Sequence, residues 1–424
     1  MNVWILNHYA HGPDVPGGIR HYALGRILVQ RGYQVTVLAS DWHHLMKRRI
    51  RLQDGARYAL EDIDGVNFVW LRTTPYQEND WRRILNWVSY TIRAVALGRK
   101  LASILPEIGE PDVIIGSSVH LLAVVAAYHL ARHYHAHFVM EVRDLWPQTL
   151  VEMGTLGDRH PLTWLLRRLE RFLYDRAKRI ISLLPFAYRY MSSLGVPTDK
   201  VTWIPNGVDL SLYEGLTTAA SEVDRAAFTV MYAGAHGVAN ALDVLIEAAR
   251  IVQDRGREDI RFVLMGDGPE KPRLSAMAQR LQLRNIEFRD PLPKARVPSA
   301  LVATDAFVLI LRDVPLYKYG ISPNKLFDYL AASRPIVFAG NSENNVVDEV
   351  HCGVSAPAAD PSAVAEAVIG LADLPAEERE AMGQRGRAYV QQYHDYSVLA
   401  RQLADTLEAL NDEQAVGPGC QAAV

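Results

Sequence analysis

Short apolar runs alternate along the chain with longer stretches in which apolar residues recur every three or four positions. In the first half, Val3–Leu6, Gln34–Leu38, Val66–Leu71, Asp112–Gly116, His137–Val142 and Ile180–Leu184 read as strands. Between them Ile19–Arg31, Trp81–Leu105, Leu121–His133 and Pro161–Lys178 carry the helical period. The second half repeats the plan with Phe228–Ala233, Arg261–Met265, Asn285–Phe288, Ala306–Leu311 and Pro335–Ala339, and with helices such as Ala241–Gln253. Buried strands alternating with amphipathic helices predict parallel sheets covered on both faces. The expected fold class is α/β: two Rossmann-like domains, each a doubly wound parallel sheet, facing each other across a cleft. We place them at residues 1–205 and 223–393, linked through Pro205–Glu222, where turn and small polar residues cluster. Gly417–Val424 reads as disordered.

A chain of 424 residues has room for two domains, and 49% hydrophobic with 22% charged residues is the balance of a water-soluble globular protein. Only Cys352 and Cys420 are present, so no disulfide framework is expected, which fits a reducing cytoplasm; neither has the partners a zinc site needs. Asn2–Leu6 runs straight into polar loop residues and reads as a strand rather than a signal peptide. The stretch between Asp112 and Arg132 carries no acidic or basic residue. Gly116-Ser117-Ser118 and His120 interrupt it, so strand, turn and buried helix fit better than a membrane span.

The net charge of −3 conceals an asymmetry: residues 1–210 hold 25 Lys+Arg against 19 Asp+Glu, and the remainder 20 against 29. Lys47-Arg48-Arg49 with Arg51, then Arg82, Arg83, Arg93, Arg99 and Lys100, and a third group from Arg167 to Arg179 concentrate the positive charge, with Trp81 and Trp87 beside the second cluster. Such helices could lie on an anionic membrane surface; a solvated face over core tryptophans explains them equally well. No nucleic-acid partner is expected.

In sheets of this class, ligands bind beyond the carboxyl ends of the strands, so those loops carry the candidate chemistry. Gly320-Ile-Ser-Pro-Asn-Lys-Leu-Phe-Asp-Tyr leads from one strand into a short helix starting near Pro323. Ser322 is placed as its cap, Asn324 and Lys325 in its first turn, and Asp328 one turn on. Backbone N–H groups and an ammonium would seat an anion, and the carboxylate would accept from sugar hydroxyls, a pairing suited to a nucleotide sugar. An ordinary capped helix is the plain alternative. Gly17-Gly18 precedes a helix and lets backbone approach an anion, although a simple turn would also explain it. His120 follows a strand, where it could hydrogen-bond a donor sugar or merely cap the next helix. Glu141-Val142-Arg143-Asp144-Leu145-Trp146-Pro147 closes another strand, with Arg143 and Asp144 read as acceptor-side and phosphate contacts or as a structural pair. Tyr232-Ala-Gly-Ala-His-Gly237 and Met265-Gly-Asp-Gly-Pro269 supply Gly234, His236, Gly237, Gly266 and Gly268. Asp62-Ile63-Asp64 has a metal-binding form, but before Gly65 it reads as a turn, and no metal is expected.

The 320–335 segment resembles the signature of GT-B fold retaining glycosyltransferases of family 4, with Gly320 where the family commonly has a first acid and Asp328 at the second. Ser-Pro-Asn-Lys and Arg-Asp-Leu-Trp-Pro look like the subgroup that builds bacterial surface polysaccharides. The resemblance implies a final helix, 394–414, crossing back to the first domain. It implies His120 near the reacting carbon, Asp328 on the ribose, the Gly17-Gly18 loop facing phosphates and acceptor, and Ile204–Asp209 shaping the hinge. The family's diphosphate-binding Arg and Lys are replaced here by Ala235 and Asn240, which throws the phosphate load onto Lys325, the backbone of Gly234 and Gly237, and His236. The implied catalytic set is His120, Lys325 and Asp144. The implied reaction is sugar transfer with retention, without cofactor or metal, from a uridine-linked donor to a polyprenyl-diphosphate saccharide, by a cytoplasmic enzyme peripheral to the inner membrane face. A sugar-nucleotide epimerase, a phosphorylase and a non-catalytic sugar-nucleotide sensor are the rival readings. The first would want carboxylate acid–base pairs in these loops, and the second a pyridoxal-binding lysine and a longer chain.

Overall fold

The computed structural model describes residues 1–78, 80–216 and 227–415 and divides into two compact units. The first takes Met1–Gly12, Gly17–Pro205 and the last helix from Tyr396; the second takes Pro13–Pro16 and Asn206–Asp395. The chain changes unit between Pro205 and Asn206, at the start of the expected link, and Asn206–Leu216 already belongs to the second unit. Residues 217–226 of that link, and Gly417–Val424, lie outside the described residues.

The first unit contains β1 (Asn2–Leu6), β2 (Gln34–Ser40), β3 (Trp42–His43), β4 (Arg48–Arg49), β5 (Tyr58–Ile63), β6 (Val66–Leu71), β7 (Val113–Ser117), β8 (His137–Val142), β9 (Arg179–Ser182) and β10 (Val201–Trp203). Eight of them form one sheet in the order β10-β9-β8-β7-β1-β2-β6-β5, while β3 and β4 pair as a small separate hairpin. The sheet is parallel except at β5, which runs antiparallel to β6, a correction to the all-parallel expectation. That edge hairpin turns through Asp64 (φ 52°) and Gly65 (φ 84°), and Asp62 Oδ1 accepts the Gly65 N–H at 3.1 Å, so Asp62 serves the turn. The apolar core is built on Val3, Ile5, Val35, Val37 and Ile115. The last helix, Tyr396–Ala415, adds Leu399, Leu403, Leu407 and Leu410, one apolar stripe, to the same core as Leu24 and Leu28 of the helix Arg20–Gln30. The uncharged stretch after Asp112 is β7 followed by the helix Leu121–Tyr134, and among the described residues no helix is long and apolar enough to cross a membrane.

The second unit holds β11 (Phe228–Ala233), β12 (Ile260–Met265), β13 (Ile286–Arg289), β14 (Ala306–Ile310), β15 (Ile336–Ala339) and β16 (Gly353–Ala356), all parallel, in the order β13-β12-β11-β14-β15-β16. Gly-Val-Ser-Ala at β16 and Val-Thr-Trp at β10 are short and weakly apolar, and the hydrophobic pattern alone missed both. After β14 comes the helix Asn324–Ala331, which buries Leu326, Phe327 and Leu330. Tyr329 ties it to the end of β11: its hydroxyl accepts the Ala233 N–H at 2.7 Å, and its ring stacks on Phe307 at 4.2 Å. These ties fix where the first turn of the helix points.

Candidate functional site

The helix Asn324–Ala331 has Pro323 at its N-cap position and no side chain capping it. Ser322, expected as the cap, is committed elsewhere: its Oγ accepts the Asn206 N–H at 2.9 Å and its carbonyl accepts Asn206 Nδ2 at 2.6 Å. Pro323 is extended (ψ 129°), which carries the start of the helix one residue past the expected point. The N-terminal N–H groups of this helix therefore retain the partial positive charge that a side-chain cap would partly neutralise.

Lys325 stands in that first turn. Its Nζ donates to Tyr232 Oη and to Asn240 Oδ1, both at 2.6 Å, and lies 4.4 Å from the Tyr232 ring centre. Neither partner is charged, so burial pushes the amine down to about 7. An ammonium has three donors, and two are spent on holding it in place. Tyr232 donates to the Ala235 carbonyl at 2.7 Å, and Asn240 Nδ2 donates to the same oxygen at 2.9 Å. Gly234 makes room: a Cβ there would lie 3.0 Å from Lys325 Cε.

The two glycine loops of the second unit pack closely. A Cβ on Gly266 would sit 1.9 Å from the Gly234 carbonyl oxygen, and one on Gly268 2.4 Å from that of His236, so these glycines let the two loops lie against each other. The Gly234, Gly266 and Gly268 N–H groups donate to Met265 O, Arg289 O and Asp267 Oδ1, so the Gly234 N–H, expected to share the phosphate load, is engaged within the protein. His236 is fully buried, and burial, followed by the charge of Lys271, lowers its imidazole to about 4. It is neutral at physiological pH, and neither ring nitrogen has a hydrogen-bond partner among the described residues. Gly237 borders the same loop.

Asp328 lies one turn beyond Lys325, as expected, but it is already engaged. Lys294 Nζ donates to both carboxylate oxygens at 2.7 Å, and Tyr213 Oη donates at 3.0 Å. The sequence reading missed Lys294, 34 residues away on an intervening loop.

In the first unit, Glu141 at the end of β8 anchors a buried network. Arg20 Nε, His21 Nε2 and Ser117 Oγ approach its carboxylate at 2.8, 2.8 and 2.6 Å. Asn7 Nδ2 faces His21 Nδ1 at 2.8 Å and Asn7 Oδ1 accepts the Tyr9 N–H, which makes His21 a neutral Nε2–H donor. Burial pushes the Glu141 carboxyl up, and the His21 hydrogen bond with the Arg20 charge more than reverses this, holding it well below the usual carboxylate range. Arg20 also donates to the Ile204 carbonyl at 2.9 Å, tying the network to the end of the unit.

His120 is the N-cap of the helix Leu121–Tyr134: Nδ1 accepts the Ala123 N–H at 3.2 Å, and Nε2 meets His8 Nδ1 at 2.8 Å. With 1% exposure and both ring nitrogens committed, it is closed to the sugar hydrogen bond expected of it. Burial, assisted by the Arg83 charge, lowers it to about 3. Arg143 is held by its backbone, whose N–H donates to Ser118 Oγ at 3.1 Å, and among the described residues neither it nor Asp144 enters an ion pair. Asp144 is exposed on the loop that follows β8. Gly17, expected to face an anion, leaves room for an imidazole instead, because a Cβ there would meet His11 Cδ2 at 2.8 Å. Gly18 is exposed, and the helix that follows it has no side-chain cap.

His11, His43 and His44 gather with ring nitrogens within 4.8 Å of one another, a grouping the sequence reading did not anticipate. Their rings are close to parallel: His11 and His43 stack at 4.3 Å and 22°, and His11 lies 10° from His44. His11 Nε2 and His44 Nδ1 face each other at 3.4 Å across ring centres 5.5 Å apart. His43 Nδ1 accepts the backbone N–H groups of Leu45 and Met46.

Residues 17–207 match the glycosyl transferase 4-like domain and residues 227–373 the group 1 glycosyl transferases. WcaI of Escherichia coli K12, whose name assigns it to colanic acid biosynthesis as a glycosyl transferase, is 22% identical over 81% of this chain and 84% of its own. A sucrose-phosphate synthase from Thermosynechococcus elongatus has the same fold at 15% identity, with a TM-score of 0.74 over 97% of this chain and 99% of that one. HepE of Anabaena, solved with UDP-glucose, shares it at 14% identity, with a TM-score of 0.67 over 96% and 100%.

Proposed function

The two matched domains and the shared fold make this chain a GT-B glycosyltransferase, and we propose that it transfers a sugar, with retention, from a uridine diphosphate donor to a lipid-linked saccharide during surface-polysaccharide synthesis. The observation that carries the reading is Lys325: an amine held by two neutral partners in the first turn of a helix that no side chain caps. As the bond from the anomeric carbon to phosphate oxygen breaks, negative charge grows on the departing diphosphate. A fixed ammonium and a helix N-terminus stabilise that charge without rearranging, the strongest electrostatic assistance such a site can give. The acceptor oxygen bonds to the anomeric carbon on the face the diphosphate leaves, and its proton passes to a phosphate oxygen. Donor binding draws the Lys325 amine into its charged form, so the protein itself supplies positive charge to the diphosphate. Asn324 shares the Lys325 turn, and Asp328, steadied by Lys294, presents its remaining lone pairs to the ribose.

On the acceptor side, Arg143 contacts phosphate, and the exposed Asp144 orients the acceptor hydroxyl. His120 acts by holding the helix Leu121–Tyr134 in place. The UDP assignment is supported by HepE, and the polysaccharide role by WcaI. The enzyme works on the cytoplasmic membrane face, through Trp81 and Ile92 of the helix Trp81–Ile104 and Trp164 and Leu165 of the helix Pro161–Arg176. These side chains are 62%, 61%, 65% and 54% exposed. Arg82 and Arg168 lie over Trp81 and Trp164, the mixture an anionic bilayer surface retains.

Thermal unfolding with uridine, guanosine and adenosine diphosphates tests the donor site, since a ligand that binds only the native state raises its melting temperature. A stabilisation specific to uridine diphosphate that is lost in Lys325→Ala and Asp328→Ala is expected. No stabilisation by any nucleotide would sink the reading.

A further inference from the structure

The first unit carries its own concentration of positive charge, lined by aromatic rings. Trp87 is its centre: the indole N–H donates to Tyr9 Oη at 2.7 Å, its ring stacks on His120 at 4.9 Å, and Trp146 meets it edge-on at 5.8 Å. Tyr9 in turn lies 4.8 Å from His44. Around these rings stand Arg83, whose guanidinium lies 5.3 Å from the Trp87 ring centre, and Lys47, whose ammonium lies 4.3 Å from that of Tyr76. Arg143 is the third cation, extending from the loop that also carries Trp146.

Two neighbouring cations are neutralised: Arg49 pairs with Asp41 at 3.2 Å and Arg51 with Glu61 at 3.0 Å, whereas Lys47 and Arg143 form no ion pair among the described residues. His44 registers the result: burial first, then His43, Arg83, Lys47 and Arg143, lower its imidazole to about 3, with no carboxylate opposing them. Lys47 is itself depressed, by burial and by Arg83. A divalent cation at His11, His43 and His44 would have to enter this positive field. An anion is favoured by it, and neutral imidazoles can donate hydrogen bonds to one.

We propose that Arg83, Lys47 and Arg143 seat the diphosphate of the acceptor, with His44 as a neutral donor and the Trp87–Trp146 rings as a face for its sugar. The assignment rests on the transferase reading above and adds the acceptor's charged group to it. Two phosphates beside aromatic faces match a saccharide carried on a diphosphate, and indole faces suit the apolar side of a pyranose ring.

The test uses the full chain saturated with uridine diphosphate, which occupies the donor seat, titrated calorimetrically with inorganic pyrophosphate and then with geranyl diphosphate. We expect both to bind, and Arg83→Gln and Lys47→Gln each to weaken them about tenfold, the scale of one charge-assisted contact. Arg48→Gln, an exposed neighbour of Lys47, should leave them unchanged. If uridine diphosphate itself fails to bind, the transferase reading falls and this seat falls with it. If it binds but pyrophosphate does not, or if Arg48→Gln weakens pyrophosphate as much as Arg83→Gln does, the seat alone is overturned. Phosphatidylglycerol vesicles that bind through Arg83 while both diphosphates fail would assign the cluster to a lipid headgroup instead. Stoichiometric Zn²⁺ binding abolished by His44→Gln, in a chain that takes no pyrophosphate, would assign it to a metal.

Discussion

Lys325 Nζ donates to Tyr232 Oη at 2.6 Å, and that phenol passes its own proton to the Ala235 carbonyl at 2.7 Å, so a residue from the end of β11 aims an amine on a helix more than ninety positions later. Tyr232→Phe should leave the fold intact, loosen the amine and weaken uridine diphosphate binding by about five- to tenfold, the scale of one hydrogen bond to a charged group. Lys325→Ala should cost more. Isothermal titration of both variants decides the order, and equal affinity in Tyr232→Phe and the native chain would remove Tyr232 from the site.

Because burial sets the Lys325 amine near 7 while a diphosphate favours its charged form, donor binding should take up a proton above neutrality. Affinity should fall between pH 7 and pH 9, and binding heats should differ between buffers of different ionisation enthalpy. The unliganded protein should show the opposite trend. Its amine lies below the unfolded value of 10.5, so the unfolded state binds more protons and stability rises from about pH 7 towards 10.5. A Lys325→Met chain should lack both effects.

Breaking the Lys294–Asp328 pair leaves a carboxylate at 9% exposure with only Tyr213 to serve it. Lys294→Ala should destabilise the second unit by about 3 kcal/mol, as removal of one partner of a buried pair does. Urea unfolding measures this, and recovery of most of the loss in Lys294→Ala/Asp328→Asn would attribute it to the stranded charge.

Glu141→Gln should cost about 3 kcal/mol at pH 7, because it strands the buried Arg20 guanidinium. The Glu141 carboxyl lies well below its unfolded value of 4.5, so its contribution is complete above that pH and fades as acid protonates it. The gap between native and variant stability should therefore shrink on going from pH 6 to pH 3, and a constant gap would exclude the linkage.

Replacing Trp81 and Trp164 together by Ser removes two of the most exposed apolar side chains of the first unit. Burial of each indole is worth about 2 kcal/mol, so flotation with phosphatidylglycerol vesicles should fall by more than tenfold while uridine diphosphate binding is retained. Unchanged flotation would make these faces ordinary solvated helix surface.

The fold was legible wherever a segment declares itself locally. Apolar strands such as Val66–Leu71 and Phe228–Ala233 fall within their expected limits, and the segment around Lys325 reads as loop and helix from Pro323 and its neighbours alone. Partnerships at long range were not legible. Nothing near Asp328 announces Lys294, and nothing near His120 announces His8, 112 residues earlier, because only the folded sheet brings β1 beside β7. The packing of the glycine loops was not legible either: Gly266 and Gly268 are small where another backbone lies against them, and Gly234 where the Lys325 side chain does.

The last helix gives the chain an order of events. Leu399, Leu403, Leu407 and Leu410 complete a core whose other walls are made from the earliest residues, with all of Asn206–Asp395 translated in between. At ribosomal speeds that interval is on the order of ten to forty seconds, during which the first unit waits with an apolar groove uncovered while the second can already close on itself. The nascent chain thus meets the cell's chaperones with its first-made half finished last.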